Sequence, residues 1–149
     1  MNTFIGSCYV GADAAKSKFW LVPFAKDSLR GTSFMYGPIV EISRSDMVRN
    51  AQSIIFDSLR NRPVLEGTPL TEVGRIAQEK VLKLKRSCTF IDIELLARHG
   101  GGEELKVMPL HAKRGLMFDA EPEEIQICPL PISNERFLAV LDSALEIAS

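Results

Sequence analysis

The sequence predicts an α/β (α+β) fold in which two similar strand-strand-strand-helix units pack as one domain, with a linking helix between them. Three observations predict it. Strand-like runs precede a helical stripe once in residues 1–62 and again in 87–149. Letters recur between the halves at a nearly constant offset. A single amphipathic stripe, residues 69–86, separates them.

Thr3 to Val10 is rich in Phe, Ile, Tyr and Val and meets Gly11-Ala12-Asp13, which reads as a strand ending in a loop. Phe19 to Phe24 reads as a second strand. Pro23 inside it lacks a ladder donor, which predicts an edge or a bulge. Ile39 to Ile42 follows Tyr36-Gly37-Pro38 as a third. Ser45 then offers a capping hydroxyl, and Val48, Ala51, Ile55 and Leu59 repeat at helical spacing, predicting a helix over 46–60.

Thr68-Pro69 reads as the start of the linking helix, whose stripe is Leu70, Val73, Ala77, Val81 and Leu84. Lys83, Lys85 and Arg86 gather at its negative end, where solvation accounts for them. Cys88 to Leu96, Leu105 to Leu110, Leu116 to Phe118 and Ile125 to Cys128 are strand-like. Ser133 caps a last helix with Phe137, Val140, Leu141, Ala144 and Leu145 on its buried face. Between the halves, Thr3-Phe4-Ile5 matches Thr89-Phe90-Ile91, and Pro23 matches Pro109, both 86 residues on. Farther along, an offset of 85 pairs Ile42 with Ile127 and Asp57-Ser58 with Asp142-Ser143.

At 46% apolar and 25% charged residues, the 149-residue chain has an ordinary globular composition, enough for one core. Its apolar runs fall well below the ~20 residues of a membrane span. Ile5-Gly6-Ser7-Cys8 resembles a lipidation box, but Met1 to Phe4 supplies neither a basic start nor an apolar stretch, so a cytoplasmic location is expected. Cys8, Cys88 and Cys128 read as buried free thiols of a reducing compartment. Eight basic against five acidic residues in 1–62, five against three in 63–86, and five against eleven in 87–149 give balances of +3, +2 and -6. The last third is therefore the acidic surface.

No motif demands a cofactor, and none is expected. Gly100-Gly101-Gly102 joins two strands with no Lys-Ser or Lys-Thr after it, so it reads as a hairpin loop rather than a phosphate cradle. His99 with Glu103 and Glu104 would place metal ligands on a flexible support, and solvated charges explain them better. Trp20 fits a core strand better than a binding anchor. Lys80, Lys83, Lys85 and Arg86 lack interleaved aromatics, so nucleic acid is not expected as a direct partner. The densest unusual feature is Asp119-Ala120-Glu121-Pro122-Glu123-Glu124. With Glu103 and Glu104 it forms a candidate acidic docking face of six carboxylates.

The segment Pro38-Ile39-Val40-Glu41-Ile42-Ser43-Arg44-Ser45, with the helix through Asp57-Ser58-Leu59-Arg60, resembles the immunity proteins of bacterial contact-dependent growth inhibition systems. A second strand-to-helix segment from Glu124 to Ala148 extends the likeness. Val48, Arg49 and Asn50 stand where one branch of that family carries a glycine and an alanine. The resemblance implies a cytoplasmic non-enzyme that binds the toxic C-terminal domain delivered by a neighbouring cell, in many cases a nuclease, and blocks its active site. On this reading Glu103, Glu104, Asp119, Glu121, Glu123 and Glu124 engage a basic toxin cleft, and the chain is a monomer or weak homodimer. The alternatives are a dimeric secretion chaperone for an effector, and a small hydrolase using Cys8, Cys88 or Cys128 with His99 or His111.

Overall fold

The computed structural model of the chain describes residues 2–29, 33–65 and 72–149. Its first unit comprises β1 (Thr3–Asp13), β2 (Lys18–Asp27), β3 (Ser33–Met35), β4 (Val40–Ser43) and helix α1 (Arg44–Arg60). After β5 (Val64–Leu65) and the linking helix α2 (Glu72–Leu84), the order repeats. The second unit has β6 (Cys88–Ala97), β7 (Glu103–Ala112), β8 (Phe118–Asp119), a 3₁₀ turn (Pro122–Glu124), β9 (Gln126–Pro129) and α3 (Asn134–Ala148). The α+β class is as the sequence predicts, but each unit carries four strands before its helix rather than three, since Ser33–Met35 also pairs with β2. The predicted start of α2 at Thr68-Pro69 lies outside the described residues.

The described strands form one sheet in the order β3-β2-β1-β6-β7-β8, antiparallel except where β5 joins β2. The two units meet along β1 and β6. In the first, β4 pairs with residues 18–21 of β2 and β3 with residues 24–26, both on its outer edge. In the second, β9 pairs with 104–107 of β7 and β8 with 111–112. Pro23 and Pro109 therefore fall in the gap between the two short strands of their own unit. The carbonyl of Pro23 accepts from the Tyr36 amide on that outer edge, and the carbonyl of Glu103, an even number of residues before Pro109, accepts from Leu130. Backbone groups alternate sides along a strand, so both prolines aim their missing donor into the gap, where no ladder bond is lost.

α1 and α3 cover one face of the sheet and α2 the other. Cys8, Val10 and Ala12 of β1 and Ile91, Ile93 and Leu95 of β6 pack beneath α1 and α3 with Met47, Ile55, Phe137 and Leu141. Val22, Phe90 and Leu110 meet Ala77 and Val81 of α2 on the opposite face. Trp20 is buried, as expected of a core strand. Arg44, at the start of α1, ties the units together through a two-point bridge to Asp142 of α3, at 2.6 and 2.9 Å.

Several sequence expectations need correction. β1 does not break at Gly11 but runs to Asp13, because the Phe90 ring lies over Gly11 where a Cβ would come within 2.6 Å of it. The turn comes later: Asp13 accepts from the Ser17 amide and hydroxyl and from the Lys18 amide. The α1 cap is Ser43, whose hydroxyl accepts from Asp46, rather than Ser45. Val48 is exposed, and Met47 takes its place in the buried stripe.

The letter matches fare unevenly. Pro23 opposes Cys8 and Pro109 opposes Ile91, so Cys8 corresponds to Ile91, an offset of 83 in the first strands. Thr89-Phe90-Ile91 lies opposite Val10 to Ala12 and is not the counterpart of Thr3-Phe4-Ile5. Ile42 is buried, as is Cys128 at an offset of 86, while Ile127 is half-exposed. The helices correspond cap to cap, Ser43 with Ser133, an offset of 90. This superposes buried Met47, Ala51 and Ile55 on buried Phe137, Leu141 and Leu145, and breaks the match of Asp57-Ser58 to Asp142-Ser143.

Candidate functional site

The six candidate carboxylates do not form one face. Glu103 and Glu104 open β7, whereas Asp119 pairs opposite His111 near its other end. Eight residues of strand, ~27 Å, separate Glu103 from His111. Glu103 receives a two-point bridge from Arg60 of α1 at 2.6 and 2.9 Å, which lowers the pKa of its carboxyl and raises that of the guanidinium. Glu104 lies 3.7 Å from Arg98. No group of three or more His, Cys, Asp or Glu side chains among the described residues is arranged to hold a metal ion.

The remaining four share one segment. Asp119 lies 3.1 Å from Lys113, and Glu124 lies 2.6 Å from His111 Nε2. Glu121 and Glu123 are exposed, and no ion pair to either is seen among the described residues. The segment is held at both ends, by β8 and β9, and by the 3₁₀ turn in which Glu124 donates to the Glu121 carbonyl. Lys85 steadies the preceding loop. Its ammonium donates to the carbonyls of Lys113, Gly115 and Met117 and sits 4.3 Å from the Phe118 ring centroid. It is thus a structural cation, where the sequence suggested simple solvation of a helix end.

A roomier concavity lies elsewhere among the described residues. A groove of about 960 Å³ runs between α1 and the outer edge of β2 and β4. Pro38 and Val40 form its floor side, and Asn50, Ile54, Asp57 and Ser58 its helix side. A smaller cleft of the second unit, beside β9 and α3, measures about 350 Å³. The residues Pro38, Val40, Asp57, Ser58 and Arg60, which carry the family likeness in the sequence, are walls of the larger groove. The Ser58 hydroxyl oxygen is buried there without a hydrogen-bond partner.

The helix side of this groove is shaped by a kink. Asn50 leaves helical geometry (φ -139°, ψ 24°) inside α1. At that point Asn134, the first residue of α3, inserts its amide: Oδ1 accepts from the Gln52 amide at 3.0 Å, and Nδ2 donates to the Val48 carbonyl at 2.7 Å. The Gln52 side chain in turn donates to the Ile132 carbonyl. Sequence reading missed this site, because the sole signal was Asn50 among poorer helix formers, and the partner is far away along the chain.

Of the thiols, Cys8 and Cys128 are buried and Cys88 half-buried, and burial pushes the pKa of each upward. Such thiols carry little thiolate at neutral pH. A further titratable group, partly buried, is Asp92, opposite Tyr9 at the junction of the units. Its Oδ1 has no hydrogen-bond partner, and burial, with Glu94 adding to it and Lys106 opposing, holds its carboxyl near a pKa of about 7. The neighbouring Tyr9 phenol is raised to about 12, by burial first and by Asp92 second.

No family model matches the chain, and no curated protein matches it. Its fold is similar to that of a solved protein of unknown function from Neisseria meningitidis, at 17% identity and a TM-score of 0.66, over 97% of both chains. This likeness shows the fold across the whole length. No helix among the described residues is long and apolar enough to cross a membrane.

Proposed function

We propose that this chain is an immunity protein of bacterial contact-dependent growth inhibition, acting in the cytoplasm by binding a delivered toxin domain and covering its active site. The support is twofold. Of the residues that resemble the family, Pro38, Val40, Asp57, Ser58 and Arg60 line one groove between α1 and the outer strand edge. The observation that carries the mechanism is the segment Asp119 to Glu124, an acidic projection held at both ends whose Glu121 and Glu123 are exposed and form no ion pair among the described residues.

Clustered carboxylates in water repel one another, and a basic cleft that binds phosphate relieves that repulsion. The docking face is accordingly narrower than the sequence suggests: Asp119, Glu121, Glu123 and Glu124 form it, while Glu103 fastens α1 to β7. Neutralising a toxin in this way needs no chemistry from the chain, since affinity comes from desolvated contacts and speed from charge.

The experiment is co-expression with the toxin C-terminal domain encoded beside the gene. The expected result is restored growth and a complex that co-purifies. Replacing Glu121 and Glu123 by Lys is expected to slow association about tenfold at low salt and far less at high salt. Unrestored growth, with both proteins folded and present, defeats the immunity reading. Restored growth with an unchanged association rate removes the acidic face from it.

A further inference from the structure

We infer that α1 is a two-setting helix, kinked while the Asn134 amide is inserted and straight when it is withdrawn, and that this setting shapes the groove beside β2 and β4. The geometry is specific. In an unbroken α-helix the Gln52 amide donates to the Val48 carbonyl, the ordinary bond to the fourth residue back. Asn134 occupies both ends of that one bond, accepting from Gln52 and donating to Val48. A primary amide has the donor and acceptor to do this simultaneously, and a side chain inserted into the helix ladder is a recognised cause of a sharp kink.

The two settings exchange the Gln52-to-Val48 bond for two bonds to Asn134, whose Nδ2 also lies 3.5 Å from the Met47 carbonyl. Residues on both sides of the joint matter to the groove. Asn50 lies at the joint, and Ile54, Asp57 and Ser58 beyond it line the groove wall. The wedge belongs to the second unit and the groove to the first, which makes the first turn of α3 the control point for the cleft. The inference concerns the free chain and stands apart from the immunity reading.

The test is Asn134→Ala, followed by backbone NMR and amide exchange on the whole chain. The expected result is that Asn50 carbon shifts move to helical values while the Gln52 amide stays protected, now by Val48. A cysteine introduced by Ser58→Cys, in the groove wall, is expected to change its alkylation rate several-fold when Asn134→Ala is added, with modification localised by mass spectrometry. A folded variant whose Asn50 shifts stay non-helical, or whose Gln52 amide loses protection, overturns the inference. Asn50→Ala, which favours helix at the joint without touching α3, is expected to move the shifts of the joint in the same direction and decides the matter should Asn134→Ala not fold. A straightened α1 with an unchanged alkylation rate overturns the link to the groove.

Discussion

Asp92→Asn is expected to stabilise the protein, and to do so more as pH rises. The wild-type carboxyl is partly buried in β6, with one oxygen shut off from water and unpartnered, and its pKa is raised from 3.8 to about 7. Between those values the unfolded chain releases a proton that the folded chain holds, so folding stability declines across this window and levels off above it. At about 1.4 kcal/mol for each tenfold in proton affinity, the penalty is roughly 1.7 kcal/mol at pH 5 and roughly 4.3 kcal/mol at pH 8. Asparagine keeps the shape and carries no charge, so it escapes this cost at every pH. Urea unfolding followed by circular dichroism at pH 5, 6, 7 and 8 measures both proteins, and titrations common to the two cancel in the difference. The variant's advantage is expected to grow by about 2.6 kcal/mol from pH 5 to pH 8. An advantage that stays constant over this range, or a wild type that is the more stable at pH 8, refutes the reasoning.

Two further expectations concern the backbone. Gly6→Ala is expected to cost about 3 kcal/mol or prevent folding, since its Cβ would meet the Leu59 carbonyl oxygen of α1 at 2.0 Å. Gly11→Ala, whose Cβ would meet the far edge of the Phe90 side chain rather than backbone, is expected to cost about 1–2 kcal/mol, and urea midpoints in the reverse order would discount the close approach of α1 to β1. Ser43→Ala is expected to lose about 1 kcal/mol and Ser45→Ala clearly less, because Ser43 supplies the oxygen that receives the Asp46 amide in the first turn of α1. Equal losses on thermal unfolding would return the cap to both residues.

The order of elements was legible in the sequence because it follows from local chemistry. Runs rich in aromatic and β-branched residues, the prolines and the helical stripes each report on a few neighbours along the chain. Pro23 and Pro109 were the most informative letters, since a missing donor must go somewhere, and in both units it goes into the gap in the outer edge. What the sequence concealed was register. A match of Thr3-Phe4-Ile5 to Thr89-Phe90-Ile91 looks like repetition, but the pairing of β2 with β1 and of β7 with β6 shifts the true correspondence by three residues. Loop length sets such shifts, and loops carry few letters to compare. The glycine at position 11 misled for a similar reason, since its partner ring arrives from β6.

The candidate site was partly legible in the same sense. Carboxylates are visible as letters, whereas their partners are set by the fold. Glu103 meets Arg60 across 43 residues of sequence, which turns a presumed docking charge into a fastening between α1 and β7. Asn134 had no visible role at all, because an amide acquires one only when a donor and an acceptor arrive opposite it. The two units thus differ in more than net charge. The first keeps the wide groove and a kinked helix, the second supplies the wedge that fills the kink and the unpaired carboxylates, and at the strand pair where they join Tyr9 faces Asp92. Two equal copies would place like residues opposite each other there. The partly buried acid is therefore a place where the inequality of the halves costs the fold stability, and its replacement by asparagine measures that cost directly.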